Sequence, residues 1–154
     1  MARPTESEIR LGSRILTWIG IINQLAETRS TRALAALRLP YPQFVLLIHF
    51  SHRPEVAQTV TGVASAMQQP QPGVTKTIQK LVARKLLRAA AAPDDGRSKL
   101  LTITPKGLET YGRAIAALVP VFRELFEPWS EAEMSDLMGK LDRLKIWLDT
   151  KGRE

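Results

Sequence analysis

Residues 59–107, TVTGVASAMQQPQPGVTKTIQKLVARKLLRAAAAPDDGRSKLLTITPKG, decide the fold. Thr61-Gly-Val-Ala-Ser-Ala-Met67 reads as a first helix with a small residue, Ala64, where a second helix can cross closely. Gln68-Gln-Pro-Gln-Pro72 reads as a turn, because Pro70 and Pro72 stop one helix and help start the next. A second helix is expected over about 72–87. In it Val74, Ile78, Leu81 and Val82, at spacings of four, three and one, share one face. Leu87 to Ala92 and Lys99 to Thr104 then predict two short strands around the tip Pro93-Asp-Asp-Gly-Arg-Ser98. Charge sets the stretch apart. It holds eight Lys or Arg and two Asp, a net of +6, in a chain whose total is +7. A basic surface confined to one small module suits a polyanion.

On the second helix Lys76 and Lys80 point away from the apolar stripe, with Thr75 and Thr77 on its flanks. Such a helix fits a DNA major groove, where Thr and Gln bond base edges and Lys pairs with phosphate or guanine. The expected groove contacts are Gln69, Gln71, Thr75, Lys76, Thr77 and Lys80, with Arg84 and Lys99 on the phosphate backbone. Arg97, at the tip of the hairpin, is the residue expected to enter a minor groove, and Asp95 is placed to pair with it. The plain alternative is a solvated basic helix followed by an ordinary exposed hairpin arginine. A hairpin with a basic tip directly after a helix-turn-helix argues instead for a winged helix.

The runs Val74-Thr-Lys-Thr-Ile-Gln-Lys-Leu81, Leu86-Leu-Arg88 and Asp95-Gly-Arg-Ser-Lys-Leu-Leu-Thr-Ile-Thr-Pro-Lys-Gly107 together resemble the MarR (multiple antibiotic resistance regulator) family. The Asp-x-Arg wing and the Leu/Ile-Thr-x-Lys-Gly ending carry most of that resemblance, which extends over nearly the whole chain. It implies a dimeric winged-helix regulator whose effectors, often aromatic acids or phenols, bind between the dimer helices and the DNA-binding lobe. Two positions depart from the family pattern. Lys85 stands where members usually have Gly, which would leave the helix end without its left-handed cap. Pro70 and Pro72 occupy a turn where members often carry a Ser or Thr cap.

Outward from this module the chain reads as helices. Residues 1–5 are expected to fray. Glu6 to Glu27 forms a helix with Ile15, Trp18, Ile19, Ile22, Leu25 and Ala26 along one stripe; Arg29-Ser-Thr-Arg32 can bend or end it, and Ala33 to Leu37 can continue helically. Leu39-Pro-Tyr-Pro42 is a break, after which a helix runs to about His52 with Phe44, Leu47 and Ile48 toward a core. Beyond the wing, Thr104 can cap a helix with Pro105 in its first turn. Leu108, Tyr111, Ile115, Leu118, Phe122, Leu125 and Trp129 repeat there every three or four residues, as in a helix packed along another, and Pro120 should kink it. Ser130 and Glu133 form a capping box for a last helix with Met134, Leu137, Met138, Leu141, Leu144 and Leu148 on its apolar face.

These terminal helices carry more apolar stripe than so small a module can bury. The expected organisation is therefore an N-terminal dimerisation helix (1–38), a winged helix-turn-helix (39–107) and C-terminal dimerisation helices (105–154). The fold class is mainly α with a small β-hairpin wing (α+β). A homodimer should then present two wings to a pseudo-palindromic duplex with half-sites about 10 base pairs apart.

At 154 residues the chain is long enough for a sizeable core. It has no cysteine, which excludes disulfides, thiolate metal sites and a cysteine redox sensor. No apolar run reaches the length of a bilayer span and no signal-peptide core is evident, so a cytoplasmic protein with no membrane partner is expected. Catalysis finds no support. His49 and His52 lack carboxylate or cysteine company, Ser51 beside His52 diverges from it on a helix, and there is no glycine-rich phosphate loop. No enzyme, metal or cofactor is expected. A small-molecule effector cleft could draw on Trp18, Tyr41, Phe44 and His49, with Arg14 to pair with a carboxylate, although each also fits a core or solvated role. Two rival functions stay open. One is a weakly specific or architectural nucleic-acid binder without an effector, and the other is a winged helix that docks on an acidic protein.

Overall fold

The computed structural model describes residues 3–94 and 96–151. Its elements are α1 (Glu6–Leu34), a 3-10 turn (Ala35–Leu37), α2 (Tyr41–Ser51), α3 (Val60–Met67), α4 (Gln71–Ala83), β1 (Leu87–Ala91), β2 (Lys99–Ile103), α5 (Pro105–Phe126) and α6 (Glu131–Thr150). The strands pair antiparallel, Leu87 opposite Ile103 and Ala91 opposite Lys99. Gln58 adds a third, short rung. Its N–H donates to the Leu101 carbonyl at 2.9 Å, and the Leu101 N–H returns a bond of 2.8 Å. The chain divides into two compact units at Val119/Pro120, inside α5. No single helix among the described residues is long and apolar enough to cross a membrane.

The first unit holds the core. Leu34, Phe44, Leu47, Phe50, Val63, Leu81, Leu86, Leu87, Leu101 and Leu118 are all buried, so α1, α2, α3, α4, the hairpin and the first half of α5 share one apolar interior. In α4 the buried residues are Val74, Ile78 and Leu81, the stripe expected from their spacing. The seam of α5 divides. Leu118 is buried and Tyr111 and Ile115 pack on the core, whereas Leu108, Phe122, Leu125 and Trp129 are exposed.

Several boundaries differ from expectation. α1 does not end near Glu27 or bend at Arg29–Arg32. It continues to Leu34, because Ser30 and Leu34 are buried and a helix is the conformation that keeps them inward. Thr5 does not fray but caps α1. Its hydroxyl accepts from the Glu8 N–H at 3.2 Å while its own N–H donates to the Glu8 carboxylate at 2.7 Å. α4 starts at Gln71 and stops at Ala83, four residues short of the expected end. The box at Ser130 and Glu133 forms as expected, and these bonds hold the Glu133 carboxyl below its ordinary range.

α4 ends in a left-handed cap after all. Lys85 adopts φ 59°, its N–H donates to the Val82 carbonyl at 2.9 Å, and the Leu86 N–H reaches back to Leu81 at 2.9 Å. This double bond pattern is the usual helix stop, made here without glycine. A lysine Cβ in that region crowds the following carbonyl. Lys85→Gly is therefore expected to stabilise the fold by about 0.5–1 kcal/mol, the relief of crowding less the extra chain entropy of glycine. Denaturant unfolding checks this, and an unchanged or lower midpoint would count against the strain.

Candidate nucleic-acid interface

Two elements frame the basic surface. α4 places its apolar stripe inward, so Lys76, Gln79 and Lys80 are left exposed on its outer arc, alongside Pro72 and Ala83. The hairpin carries Arg97, Ser98 and Lys99 up beside that arc. Between them lies a cleft of about 580 Å³ lined by residues that include Thr59, Thr61, Gln71, Thr75, Gln79, Arg97 and Lys99. Charge and hydrogen-bonding groups thus converge on one concave face with few carboxylates to cancel them.

Of the residues singled out in the sequence, Gln71, Thr75, Arg97 and Lys99 line this cleft together. Lys76 and Lys80 stand on the exposed side of α4, and Gln69 is exposed in the preceding turn. The Thr77 hydroxyl is occupied within α4, donating to the Gly73 carbonyl at 3.1 Å. Asp95, and with it the expected pair to Arg97, falls outside the described residues. Three lining residues went unremarked in the sequence. Thr59 caps α3 by accepting from the Gly62 N–H, Thr61 sits in the first turn of that helix, and Gln79 follows Lys76 by one turn of α4. Helical spacing from Lys76 would have found Gln79.

Arg84 takes a different direction. Its Nη1 donates to the Arg38 carbonyl at 2.7 Å and to Gln43 Oε1 at 2.8 Å, and its Nη2 donates to the Leu37 carbonyl at 3.3 Å. These bonds turn the guanidinium toward the protein, whereas the sequence reading put it on the phosphate backbone.

The wing is fastened at its root by the Thr104-Pro-Lys-Gly107 ending. The Thr104 N–H donates to the Leu86 carbonyl at 3.1 Å, and its hydroxyl donates to Lys85 O at 2.7 Å and accepts from the Gly107 N–H at 3.0 Å. Lys106 Nζ donates to Arg84 O at 3.2 Å. Gly107 is buried directly against Leu86. A Cβ there would lie 2.2 Å from the Leu86 carbonyl oxygen and 2.7 Å from Ile103 Cγ1.

The residues expected to line an effector cleft are only partly brought together. Tyr41 and Phe44 lie 6.1 Å apart between ring centroids, and Tyr111 stacks on Phe44 at 6.5 Å, a partner missed because it comes from α5. Burial, and secondarily the Glu27 carboxylate, push the Tyr41 hydroxyl above its ordinary range. Phe44 is itself buried in the core. His49 Nε2 lies 2.7 Å from Gln58 Oε1 and so ties α2 to the rung beside the wing. Arg14 and Trp18 are exposed on α1, Trp18 at 57 %.

Residues 39–98 match the family model described as MarR family. No curated protein matches the chain. Among solved structures, a MarR protein from Peptoclostridium difficile is similar over 98 % of this chain and 95 % of its own, at 20 % identity and a TM-score of 0.77. A MarR family transcriptional regulator from Rhodococcus sp. RHA1 matches at 19 % identity and a TM-score of 0.75, over 87 % and 95 % of the two chains. A point mutant of S. aureus MepR, solved bound to an oligodeoxyribonucleotide, matches at 19 % identity and a TM-score of 0.58, over 87 % and 97 %. The mainly helical fold with its two-stranded hairpin agrees with these matches. Residues 39–98 thus match the MarR family model, and the fold of the solved MarR structures extends over the flanking helices as well.

Proposed function

We propose that this protein is a dimeric, sequence-specific DNA-binding transcription regulator, a repressor released by a small aromatic or phenolic ligand. One observation carries the reading: Arg97 and Lys99 of the wing line a cleft together with Gln71, Thr75 and Gln79 of α4, and α4 leaves Lys76 and Lys80 exposed, on the module that holds nearly all of the net positive charge. α4 enters the major groove, with Gln71, Thr75, Gln79 and Lys76 toward base edges and Lys80 and Lys99 toward phosphates. Arg97 enters the adjacent minor groove. The MepR mutant bound to an oligodeoxyribonucleotide supports DNA binding by a chain of the same fold.

What one chain leaves uncovered supports the dimer of this proposal. Ile15, Trp18, Ile22 and Leu25 of α1 are exposed, Leu25 at 62 %. Phe122, Leu125, Leu137, Met138, Trp147 and Leu148 of α5 and α6 are exposed as well, and no residue of α6 is buried. Apolar surface on this scale marks an interface. In the proposed dimer the helices of residues 1–38 and 105–154 from two chains cover each other and set two 39–107 modules on successive turns of a duplex. A ligand favouring one spacing of those modules shifts the population away from the DNA-competent one. A hundredfold loss of affinity needs only about 2.7 kcal/mol of differential binding. Tyr41, Phe44 and Tyr111 form the aromatic cluster best suited to such a ligand. The cytoplasm is the compartment such a regulator requires.

Arg97→Ala is expected to weaken duplex binding by about 1–3 kcal/mol, and Lys76→Ala to reduce the slope of log K against log salt by about one unit as well. Titrations at several salt concentrations check both. Binding by Arg97→Ala as tight as the parent's at moderate salt would remove the wing from the interface.

A further inference from the structure

The cation at the end of the recognition helix is committed to the protein, and its partners locate what it does. Arg84 is the C-cap residue of α4. Its guanidinium bonds reach the carbonyls of Leu37 and Arg38, where the run of α1 and its 3-10 turn ends, and the side chain of Gln43 on α2. Carbonyls at a helix end lack helical partners and favour a nearby cation. Gln43 is buried, so its oxygen has little alternative to this bond. From the other side Lys106, in the first turn of α5, donates to the Arg84 carbonyl. The C-terminal end of α4 is thereby gripped by the roots of α1 and α5.

We infer that Arg84 is a positioning residue that locks α4 to the end of α1 and to α2, and so passes the spacing of the terminal helices to the recognition helices. This rests on the dimeric DNA-binding reading above and adds to it a mechanical joint and a source of operator selectivity. The argument is geometric. A guanidinium is a planar fork, and three bonds of 2.7–3.3 Å to two separate segments fix both distance and angle. Inserting one base pair between half-sites moves them about 3.4 Å and turns them about 35°. A joint held by such bonds cannot follow that displacement without breaking them. A joint without them can. Arg84 therefore acts through α4 and not by touching DNA.

The test uses the full chain and a duplex selected from a random pool, compared with the same duplex lengthened or shortened by one base pair between half-sites. The parent should lose at least about tenfold in affinity on either change. Arg84→Gln should keep the parent's solution mass and its salt slope, while its loss on changed spacing falls to about twofold or less. A salt slope lower by about one unit would mean that Arg84 neutralises a phosphate, and would overturn the inference. So would a spacing profile identical to the parent's. Gln43→Met keeps the cation and removes one acceptor, so it carries the same comparison if Arg84→Gln does not fold. Its profile should flatten in the same direction, and an unchanged one overturns the inference. If the parent itself selects no duplex, the DNA-binding reading falls first and this inference falls with it.

Discussion

Gly107→Ala is expected to cost about 3 kcal/mol of stability, the upper end of what forcing an atom into a packed site does. The added methyl would meet the Leu86 carbonyl oxygen at 2.2 Å and Ile103 Cγ1 at 2.7 Å, and neither is the far end of a flexible side chain. Relief would need α5 to lift from the wing root. That movement would strain the Thr104 bonds to Lys85 and Leu86 and the Lys106 bond to Arg84, which hold the recognition helix, the wing and α5 at one corner. Gly73→Ala in α4 is the control, since nothing lies within 4 Å of its added Cβ. It should be neutral or stabilising by up to about 1 kcal/mol, because alanine favours the helix. Denaturant midpoints of both variants decide the point. A Gly107→Ala protein within about 1 kcal/mol of the parent would mean that the corner yields easily.

Ile15→Asp combined with Ile22→Asp should separate the proposed dimer. Both residues lie on the α1 stripe with Trp18 and Leu25, and all four are exposed in the single chain. Burying a large apolar side chain contributes about 1.5–3 kcal/mol, and a two-fold interface buries each of them twice. Two carboxylates per chain would have to enter that interface unpaired, which is far more costly than the lost contacts alone. The solution mass should fall from twice the chain mass to once, at micromolar concentration, and affinity for a two-half-site duplex should fall at least about a hundredfold, a loss of about 2.7 kcal/mol. The residues lie outside the core of the first unit, so the circular dichroism of the chain should remain helical. Persistence of the doubled mass would place the interface elsewhere.

Much of the fold was legible because its information is local. The stripe Val74, Ile78 and Leu81 and the box at Ser130 and Glu133 need only the sequence within a few residues, and each appears where the spacing puts it. What escaped depends on contacts between distant segments. α1 runs on to Leu34 because Ser30 and Leu34 pack inward, which no local pattern announces. Lys85 accepts a left-handed conformation because two backbone bonds and the adjacent wing fix the helix end, overriding the preference of its side chain. The direction of Arg84 is set by Gln43, 41 residues earlier, so charge alone pointed it toward a phosphate. The ring of Tyr111 over Phe44 and the rung between Gln58 and Leu101 have the same origin. Along α4 helical periodicity places Gln71 and Thr75 at the cleft, whereas at its rim Thr59 and Thr61 come from a separate helix that periodicity in α4 does not reach.

Charge gathered on one face predicts attachment to any polyanion, so the decisive question is sequence choice by a two-chain complex. The most direct measurement is equilibrium binding of the full chain to a duplex enriched from a random pool, against a scrambled duplex of equal length at about 0.15 M salt, with the mass of the complex determined alongside. A preference of about 10³ or more for an enriched sequence with two-fold symmetry, in a complex of two chains per duplex, is the predicted result. Equal binding of the two duplexes, or one chain bound to an asymmetric site, would contradict the account.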